Sequence, residues 1–144
     1  MKCKELMTKN PVCCLPNDIV VKAAQLMKRG DVGSIPIIDT EQTKKLVGML
    51  TDRDLALRIV AEGRDPQTTK VEEVMTRKVV TCLPDDDLQK VLDLMAEHQL
   101  RRIPVLDSSN GIVGIIAQAD MATRFDHPKR TAVMVKEISE PKKK

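Results

Sequence analysis

The sequence predicts a mixed α/β fold of the α+β type, in which two copies of one small unit pack side by side with pseudo-two-fold symmetry. The first observation is an internal repeat: an offset of 68 residues superposes Leu6-Met7-Thr8 on Val74-Met75-Thr76 and Cys14-Leu15-Pro16 on Cys82-Leu83-Pro84. The second is that each copy contains a helical apolar stripe followed by two short runs of branched residues. Each copy is therefore expected to form a three-stranded sheet with two helices.

The composition fits one compact soluble domain and excludes a dedicated nucleic-acid binder. The chain has 144 residues, of which 42% are hydrophobic and 31% are charged, as in ordinary globular domains. Its net charge of +3 is accounted for by Lys142, Lys143 and Lys144, so the rest of the chain is balanced. Phe125 is the only aromatic residue, which leaves no set of platforms on which bases could stack.

Membrane, export and metal signals are also missing from the sequence. Apolar runs such as 112–117 are far shorter than the roughly 20 residues that span a bilayer, so no membrane segment is expected. The first six residues lack the apolar core of a signal peptide, which predicts a cytoplasmic protein whose four cysteines are thiols. His98 and His127 have no ligand spacing to each other or to a cysteine, so no metal site is predicted.

Each repeat begins with a short extended lead-in that ends at Pro16 or Pro84. Asn17-Asp18 and Asp85-Asp86 come directly after these prolines and can cap a helix. The two helices are predicted from apolar residues at helical spacing, which are Val20, Ala23, Ala24 and Met27 in the first repeat and Leu88, Val91, Leu92 and Met95 in the second.

Two strands and a second helix complete each repeat. Branched residues predict the strands, at 35–38 and 46–50 in the first repeat and at 103–106 and 112–116 in the second. The second helix starts near Thr51 or Ala117, and Gly63 is a suitable stop for it in the first repeat. The predicted boundaries are a first repeat at 1–63, a linker at 64–70, a second repeat at 71–126 and a charged tail at 127–144, which is expected to be a mobile arm or a partner contact.

A carboxylate near the start of the second helix is the first candidate for ligand binding. Asp54 can accept both hydroxyls of a ribose, and Thr51 offers a hydroxyl and N–H groups to a phosphate. Thr51-x-x-Asp54 also has the spacing of a capping box, in which both side chains serve only the helix's own amides, and both interpretations are open. In the second repeat Asp120 is retained but Ala117 replaces the hydroxyl, so a reciprocal box cannot form there. Asp120 then serves either a ribose or the charge preference of a first helical turn.

Arg101 and Arg102 are the candidates for phosphate binding, because a guanidinium group grips phosphate oxygens with a planar, permanently charged fork. Their counterparts in the first repeat are Gly33-Ser34, so the two repeats differ at this position. The alternative is that the arginines are a solvated pair of surface charges.

The order of elements resembles the CBS-domain family, as do three motifs: the Met-Thr pair before each lead-in, Ile-Pro on the first hairpin strand, and the run Gly48-Met49-Leu50-Thr51-Asp52-Arg53-Asp54. The resemblance covers residues 1–126 and is to a stand-alone tandem pair, or Bateman module, of the bacterial signal-transduction type. It implies a regulatory module that binds adenosine-containing ligands in two clefts between the repeats. The sequence contains no catalytic motif, so we expect no enzymatic activity and no catalytic residues.

The resemblance also implies which residues line each cleft. The main cleft has the predicted nucleotide-binding residues Met49, Leu50, Thr51, Asp54, Val80, Arg101 and Arg102. The second cleft is expected to bind more weakly because Ala117 lacks the hydroxyl. Its predicted residues are Val12, Ser34, Arg53, Ile115, Ile116 and Asp120.

The expected ligand is AMP, with ADP or ATP as alternatives, and no catalytic cofactor is expected. The ligand would regulate a separate target protein, and the family resemblance implies a homodimer. Ribose recognition does not specify the group that is attached to the ribose, so S-adenosylmethionine and NAD are alternative ligands. A nucleotide-independent dimerisation scaffold and weak nucleic-acid contact through the lysine tail are the other interpretations of the same sequence.

Overall fold

The computed structural model describes residues 1–124 and 128–141. The α-helices are α1 (Cys3–Leu6), α2 (Val20–Gly30), α3 (Asp52–Leu55), α4 (Leu88–His98), α5 (Gln118–Arg124) and α6 (Pro128–Ser139). A π-helix at Ala56–Val60 continues α3, and a 3-10 helix covers Val71–Glu73. The strands are β1 (Thr8–Lys9), β2 (Ser34–Ile38), β3 (Leu46–Thr51), β4 (Arg102–Leu106) and β5 (Ile112–Ala117). Within these described residues, every helix is too short or too polar to span a bilayer.

The chain divides into two compact units whose limits differ from those of the sequence repeats. One, the continuous unit, is Pro11–Val79, and the other, the split unit, consists of Met1–Asn10 together with Val80–Lys144. The Met-Thr pair that opens the first repeat, Met7-Thr8, therefore lies in the split unit with the hairpin of the second repeat. Met75-Thr76 likewise lies in the continuous unit with the hairpin of the first repeat.

In the continuous unit, β2 and β3 form an antiparallel hairpin that places Ser34 opposite Thr51. Thr76 adds to the outer side of β3, because its backbone and that of Met49 exchange two hydrogen bonds of 2.8 Å. The apolar stripe of α2 faces the core of the unit, whose buried residues are Cys14, Val20, Ala23, Met27, Ile35, Ile37, Leu50, Ile59, Val71, Val74 and Met75.

In the split unit, three antiparallel strands form a sheet in the order β1-β5-β4. Thr8 lies opposite Ile115 on one side of β5, and Arg102 lies opposite Ala117 on the other. Helices α4 and α6 pack against each other in this unit. Its core contains Cys3, Leu6, Cys82, Leu88, Val91, Leu92, Met95, Ile103, Val105, Ile116, Met121, Met134 and Ile138.

A glycine in each hairpin permits the close approach of the Met-Thr pair. A Cβ atom on Gly48 would lie 2.7 Å from Met75 Sδ and 2.9 Å from the Thr76 carbonyl oxygen. A Cβ atom on Gly114 would lie 2.5 Å from Met7 Sδ. These distances are shorter than real Cβ contacts, so the backbone can only approach here because the side chain is a hydrogen atom.

The predicted mixed class, with small antiparallel sheets and helices, is confirmed. The helices at 20–30 and 88–98 and both hairpins occur where the sequence predicts them. Gly63 also ends the second helical segment of the first repeat with a positive φ of 67°, a conformation that glycine adopts without steric cost.

The capping role predicted for Asp18 and Asp86 is wrong. Asp18 accepts the Leu15 N–H at 2.8 Å and Asp86 accepts the Leu83 N–H at 2.8 Å, so both close the turn around the lead-in proline. The helices begin later in the chain, and Asp87 caps α4 by accepting the Gln89 N–H. A short polar side chain such as aspartate can accept a hydrogen bond from a turn N–H or from an N–H at the start of a helix. The sequence pattern does not distinguish these two roles.

The prediction of a mobile arm is wrong for Pro128–Ser139, which form α6. Thr131, Met134 and Ile138 are buried at helical spacing, so the helix presents an apolar stripe to the split unit. The Gln99 side chain also donates hydrogen bonds to the carbonyl oxygens of Glu137 and Glu140 at the end of α6. The predictions about Phe125, His127 and the three terminal lysines lie outside the described residues.

Candidate functional site

Thr51 and Asp54 form a reciprocal capping box at the junction of β3 and α3. Thr51 Oγ1 accepts the Asp54 N–H at 3.1 Å, and Asp54 Oδ2 accepts the Thr51 N–H at 3.0 Å. The structural interpretation of this motif is therefore correct. It uses only part of the carboxylate, because an ionised carboxylate offers about four acceptor positions.

The second carboxylate oxygen of Asp54 has no hydrogen bond within the described residues. Asp54 Oδ1 lies 3.8 Å from Arg58 Nε, which makes an ion pair without hydrogen-bond geometry. The Arg58 guanidinium instead donates to the Val74 carbonyl oxygen at 2.9 Å. The Asp54 side chain is only 13% exposed, so an acceptor with spare capacity sits in a largely desolvated position.

Ser34 lies on the neighbouring strand, directly opposite Thr51. Its side chain is only 7% exposed, and its Oγ has no hydrogen-bond partner within the described part of the chain. A buried hydroxyl without a partner costs about 1–3 kcal/mol, so Ser34 Oγ can accept or donate a hydrogen bond to a bound molecule. Thr51 is thus flanked by two groups with unused hydrogen-bonding capacity, Asp54 Oδ1 and Ser34 Oγ.

Other predicted residues of the continuous unit differ in what they can offer a ligand. Leu50 is fully buried in the core, so any contact with a ligand is left to its backbone. Met49 is nearly buried, and its backbone N–H and carbonyl are both used by Thr76. Arg53 and Val12 are exposed, and the Arg53 N–H donates to Asp52 Oδ1.

In the split unit, the junction of β5 and α5 is equivalent to the junction of β3 and α3. Asp120 Oδ2 accepts the Ala117 N–H at 3.2 Å, while Ala117 returns no side-chain bond. The prediction that no reciprocal box forms here is confirmed, and the N–H of Ala117 gives Asp120 a structural role. Arg102 lies opposite Ala117, and the Arg101 carbonyl oxygen accepts the Gln118 N–H at 2.7 Å, so both arginines flank the start of α5.

The aliphatic residues predicted in this unit are partly structural. Ile116 is fully buried in the core, and Val80 is half-buried and packs against the same core. Ile115 is half-buried between Thr8 on β1 and Pro104 on β4. The division of all these residues between a main and a second cleft stays a prediction.

Arg58 is absent from the residues predicted from the sequence. Its guanidinium faces Asp54 and bonds to the backbone of the segment that precedes Met75-Thr76. The four-residue spacing from Asp54 is the signal that could have identified it, because residues four apart share one face of a helix. As for metals, the described residues contain no group of three or more His, Cys, Asp or Glu side chains that could hold an ion.

Comparison with known proteins gives consistent matches over both repeats. The family model of the CBS domain matches residues 3–61 and 71–127. The chain is 45% identical to the CBS domain-containing protein YhcV of Bacillus subtilis (strain 168), over 83% of this chain and 81% of the relative.

Two solved structures extend the comparison to the fold. The CBS domain pair of protein MJ0100, in complex with 5′-methylthioadenosine and S-adenosyl-L-methionine, has a TM-score of 0.77 and 29% identity, over 87% of this chain and 95% of that one. Hypoxic Response Protein I, with two coordinated zinc ions, has a TM-score of 0.78 and 32% identity, over 87% of this chain and 99% of that one.

Proposed function

Because the chain belongs to the CBS-domain family, we propose that it is a cytoplasmic regulatory module that binds an adenosine-containing ligand and signals to a separate target protein. The observation that carries this proposal is the pair of unused groups beside Thr51, the Asp54 carboxylate oxygen and the buried Ser34 hydroxyl. A similar CBS pair, that of MJ0100, binds 5′-methylthioadenosine and S-adenosyl-L-methionine. The module itself performs no reaction in this proposal.

Asp54 would hold the ribose of this ligand. Its Oδ1 can accept a ribose hydroxyl while Oδ2 keeps the Thr51 N–H, so ligand binding does not require the capping box to open. A hydrogen bond to a charged acceptor contributes roughly 1.5–3 kcal/mol. The largely buried position of the carboxylate favours the upper part of that range, because water competes less for it.

Arg101 and Arg102 would bind the phosphate of AMP, ADP or ATP, and Val80 and Met49 would contact the adenine. The guanidinium fork suits phosphate, and aliphatic contacts suit an adenine in a chain with so few aromatic residues. The same scheme assigns a weaker second ligand to Val12, Ser34, Arg53, Ile115, Ile116 and Asp120. The Ser34 hydroxyl could bind the ligand of the second cleft. Because Ser34 lies opposite Thr51, its hydroxyl could also bind the ligand of the main cleft.

Two measurements test this function. Native mass spectrometry of the purified protein should detect a retained adenosine compound, and calorimetry with AMP, ADP, ATP, S-adenosylmethionine and NAD should then rank the ligands. Affinity that depends on phosphate, and that falls in an Arg101→Ala/Arg102→Ala variant, would support AMP over S-adenosylmethionine. Absence of binding by all five ligands would favour the dimerisation scaffold.

We also propose that the protein is a homodimer in which a second copy covers an apolar groove of the continuous unit. The groove has a volume of about 500 Å3 and lies between α2 and the second helical segment, lined by Val20, Val21, Ala24, Leu55, Ile59 and Val60. Val60 is 77% exposed and Leu57 is also exposed. Val60 lines this groove, and apolar surface that is left exposed at a groove can serve as an interaction site.

Light scattering at several protein concentrations tests the dimer. Val60→Glu should shift the mass toward that of a monomer, because a charge would be buried in the interface. Val133→Glu is the matched control: Val133 is also exposed, but on α6 of the split unit. A wild-type protein that stays monomeric at all concentrations would refute the proposal.

A further inference from the structure

Arg58 places unused hydrogen-bond donors beside the carboxylate of Asp54. Its Nη1 atom donates to the carbonyl oxygens of Val74 and Met75, at 2.9 and 3.4 Å. An arginine carries N–H donors on Nε and Nη2 as well, and these make no hydrogen bond within the described residues. Nε lies 3.8 Å from Asp54 Oδ1, the carboxylate oxygen that also has no hydrogen bond. An unused donor and an unused acceptor therefore lie side by side.

The direction of these donors is set by the surrounding backbone. Arg58 lies in the π-helix Ala56–Val60, where the Ala61 N–H donates to the Ala56 carbonyl oxygen at 2.9 Å, five residues earlier. Helices of this type occur frequently at functional sites. The two carbonyl groups that hold Nη1 come directly after the 3-10 helix Val71–Glu73. Because the guanidinium group is planar and rigid, fixing Nη1 also orients Nε and Nη2 before any ligand binds.

Two adjacent ribose hydroxyls match this arrangement of donor and acceptor. Asp54 Oδ2 already accepts the Thr51 N–H at 3.0 Å, so Oδ1 is the oxygen without a hydrogen bond of its own. A hydroxyl group can donate a hydrogen bond to Oδ1, and a neighbouring hydroxyl can accept one from Arg58. The Arg58 side chain is 46% exposed, so a ligand can reach it. Each of the two bonds would have one ionised partner, as the stronger hydrogen bonds in proteins do.

We propose that Arg58 is a second ribose-binding residue, which makes the site selective for an intact ribose over a deoxyribose. The inference rests on the proposed function, because it specifies how the ribose assigned to Asp54 is held. Asp54 accepts from one hydroxyl and Arg58 donates to the other. A ligand that lacks either hydroxyl leaves one of these charged groups without its bond, which is how a polar site rejects an analogue.

The alternative is that Arg58 only anchors the segment that contains Val74 and Met75. Loss of a structural anchor would weaken the binding of every adenosine ligand by the same factor, whichever hydroxyls the ligand carries. A direct bond to the ribose makes the loss depend on one particular hydroxyl. The two roles are therefore separated by comparing ligands that differ in a single hydroxyl group.

Calorimetric titration of the full chain with AMP, 2′-deoxy-AMP and 3′-deoxy-AMP makes this comparison. Arg58→Met removes the donors and keeps an aliphatic side chain of similar length. We expect its affinity for AMP to fall about tenfold or more, as for a hydrogen bond to a charged group. One of the two deoxy analogues should bind wild-type protein and Arg58→Met equally, within about twofold. The other analogue should show the same independence toward Asp54→Asn.

Two further variants control for structural effects. Arg64→Met removes another arginine of the same unit, whose guanidinium bonds to Glu73 Oε1 at 2.8 Å, and should leave AMP affinity within about twofold of wild type. Arg58→Lys keeps the positive charge and a donor for the Val74 carbonyl oxygen, but not the planar fork. It should show the same dependence on one hydroxyl as Arg58→Met, and it answers the question if Arg58→Met is too unstable to titrate.

The inference is overturned if the Arg58 variants lose AMP and both deoxy analogues by the same factor, or if their affinity for AMP is unchanged. Either result leaves the assignment of the ribose to Asp54 intact when Asp54→Asn still weakens AMP binding. Wild-type protein that does not bind AMP would overturn the roles of Asp54 and Arg58 together.

Discussion

The second helix of the first repeat starts at a threonine, and that of the second repeat starts at an alanine, which has no cap hydroxyl. Thr51 and Asp54 bond to each other reciprocally, whereas Asp120 bonds to an alanine that returns nothing. The carboxylate and its bond to the backbone are present in both units, so the cap hydroxyl can be removed from one unit and added to the other.

Removing the hydroxyl in one unit and adding it in the other should have opposite effects. Thr51→Ala should lower the free energy of unfolding by about 1 kcal/mol, and Ala117→Thr should raise it by roughly 0.5–1 kcal/mol. Urea unfolding measures both. Equal effects of the same sign would show that the box does not stabilise the helix start.

The sequence predicts this site only in part, because a motif shows the spacing of its residues but not which of their atoms already form hydrogen bonds. Thr51-x-x-Asp54 suited both a capping box and a ligand site, and the structure shows that one carboxylate oxygen serves the box while the other stays available. The unpartnered hydroxyl of Ser34 is a tertiary property. It depends on which strand lies opposite β2, so no local pattern reveals it.

In each unit, a glycine in the hairpin permits the close approach of the Met-Thr pair. Gly48→Ala should destabilise the continuous unit by about 1–3 kcal/mol, because the new Cβ would meet the Thr76 carbonyl oxygen in a fixed strand. Gly30→Ala is the matched control, since a Cβ there would meet only Val32 Cγ2 at 3.6 Å. Urea unfolding midpoints compare the two. A Gly48→Ala protein as stable as Gly30→Ala would contradict the assigned contact.

Helix α6 contributes to the core of the split unit. Met134→Ala should cost about 2–5 kcal/mol in the free energy of unfolding, because Met134 is fully buried. Val133→Ala, at an exposed neighbouring position, should change it by less than about 0.5 kcal/mol. Thermal unfolding distinguishes them, and equal midpoints would mean that α6 does not pack as described.

Elements with strong periodicity could be predicted, and elements defined by packing could not. The stripe of α4 and the branched runs of β4 and β5 are regular enough to predict from sequence. The stripe of α6 includes Thr131 and is surrounded by charges, so its composition indicated a solvated tail. The change from α-helix to π-helix after Leu55 has no sequence signal that we recognise.

In the whole molecule, each compact unit keeps the lead-in and hairpin of one sequence repeat but contains the Met-Thr pair of the other repeat. Met7-Thr8 belongs to the split unit and Met75-Thr76 to the continuous unit. The repeat offset identifies equivalent residues but does not determine which Met-Thr pair lies beside which hairpin. That pairing depends on the connections between the units, which the sequence repeat leaves unspecified.

We expect Asp54 to hold the ribose of an adenosine ligand, and calorimetric titration with AMP measures that contact. Asp54→Asn is the informative variant, because its amide oxygen can still accept the Thr51 N–H while the charge is removed. Asp52→Asn is the matched control, on the same turn of helix but exposed and bonded only to the Arg53 N–H.

The wild-type protein should bind one AMP tightly per chain. Asp54→Asn should weaken binding by roughly 1.5–3 kcal/mol, or about 10- to 150-fold, and Asp52→Asn by less than about 0.5 kcal/mol. Unchanged AMP affinity in a folded Asp54→Asn protein would contradict the claim.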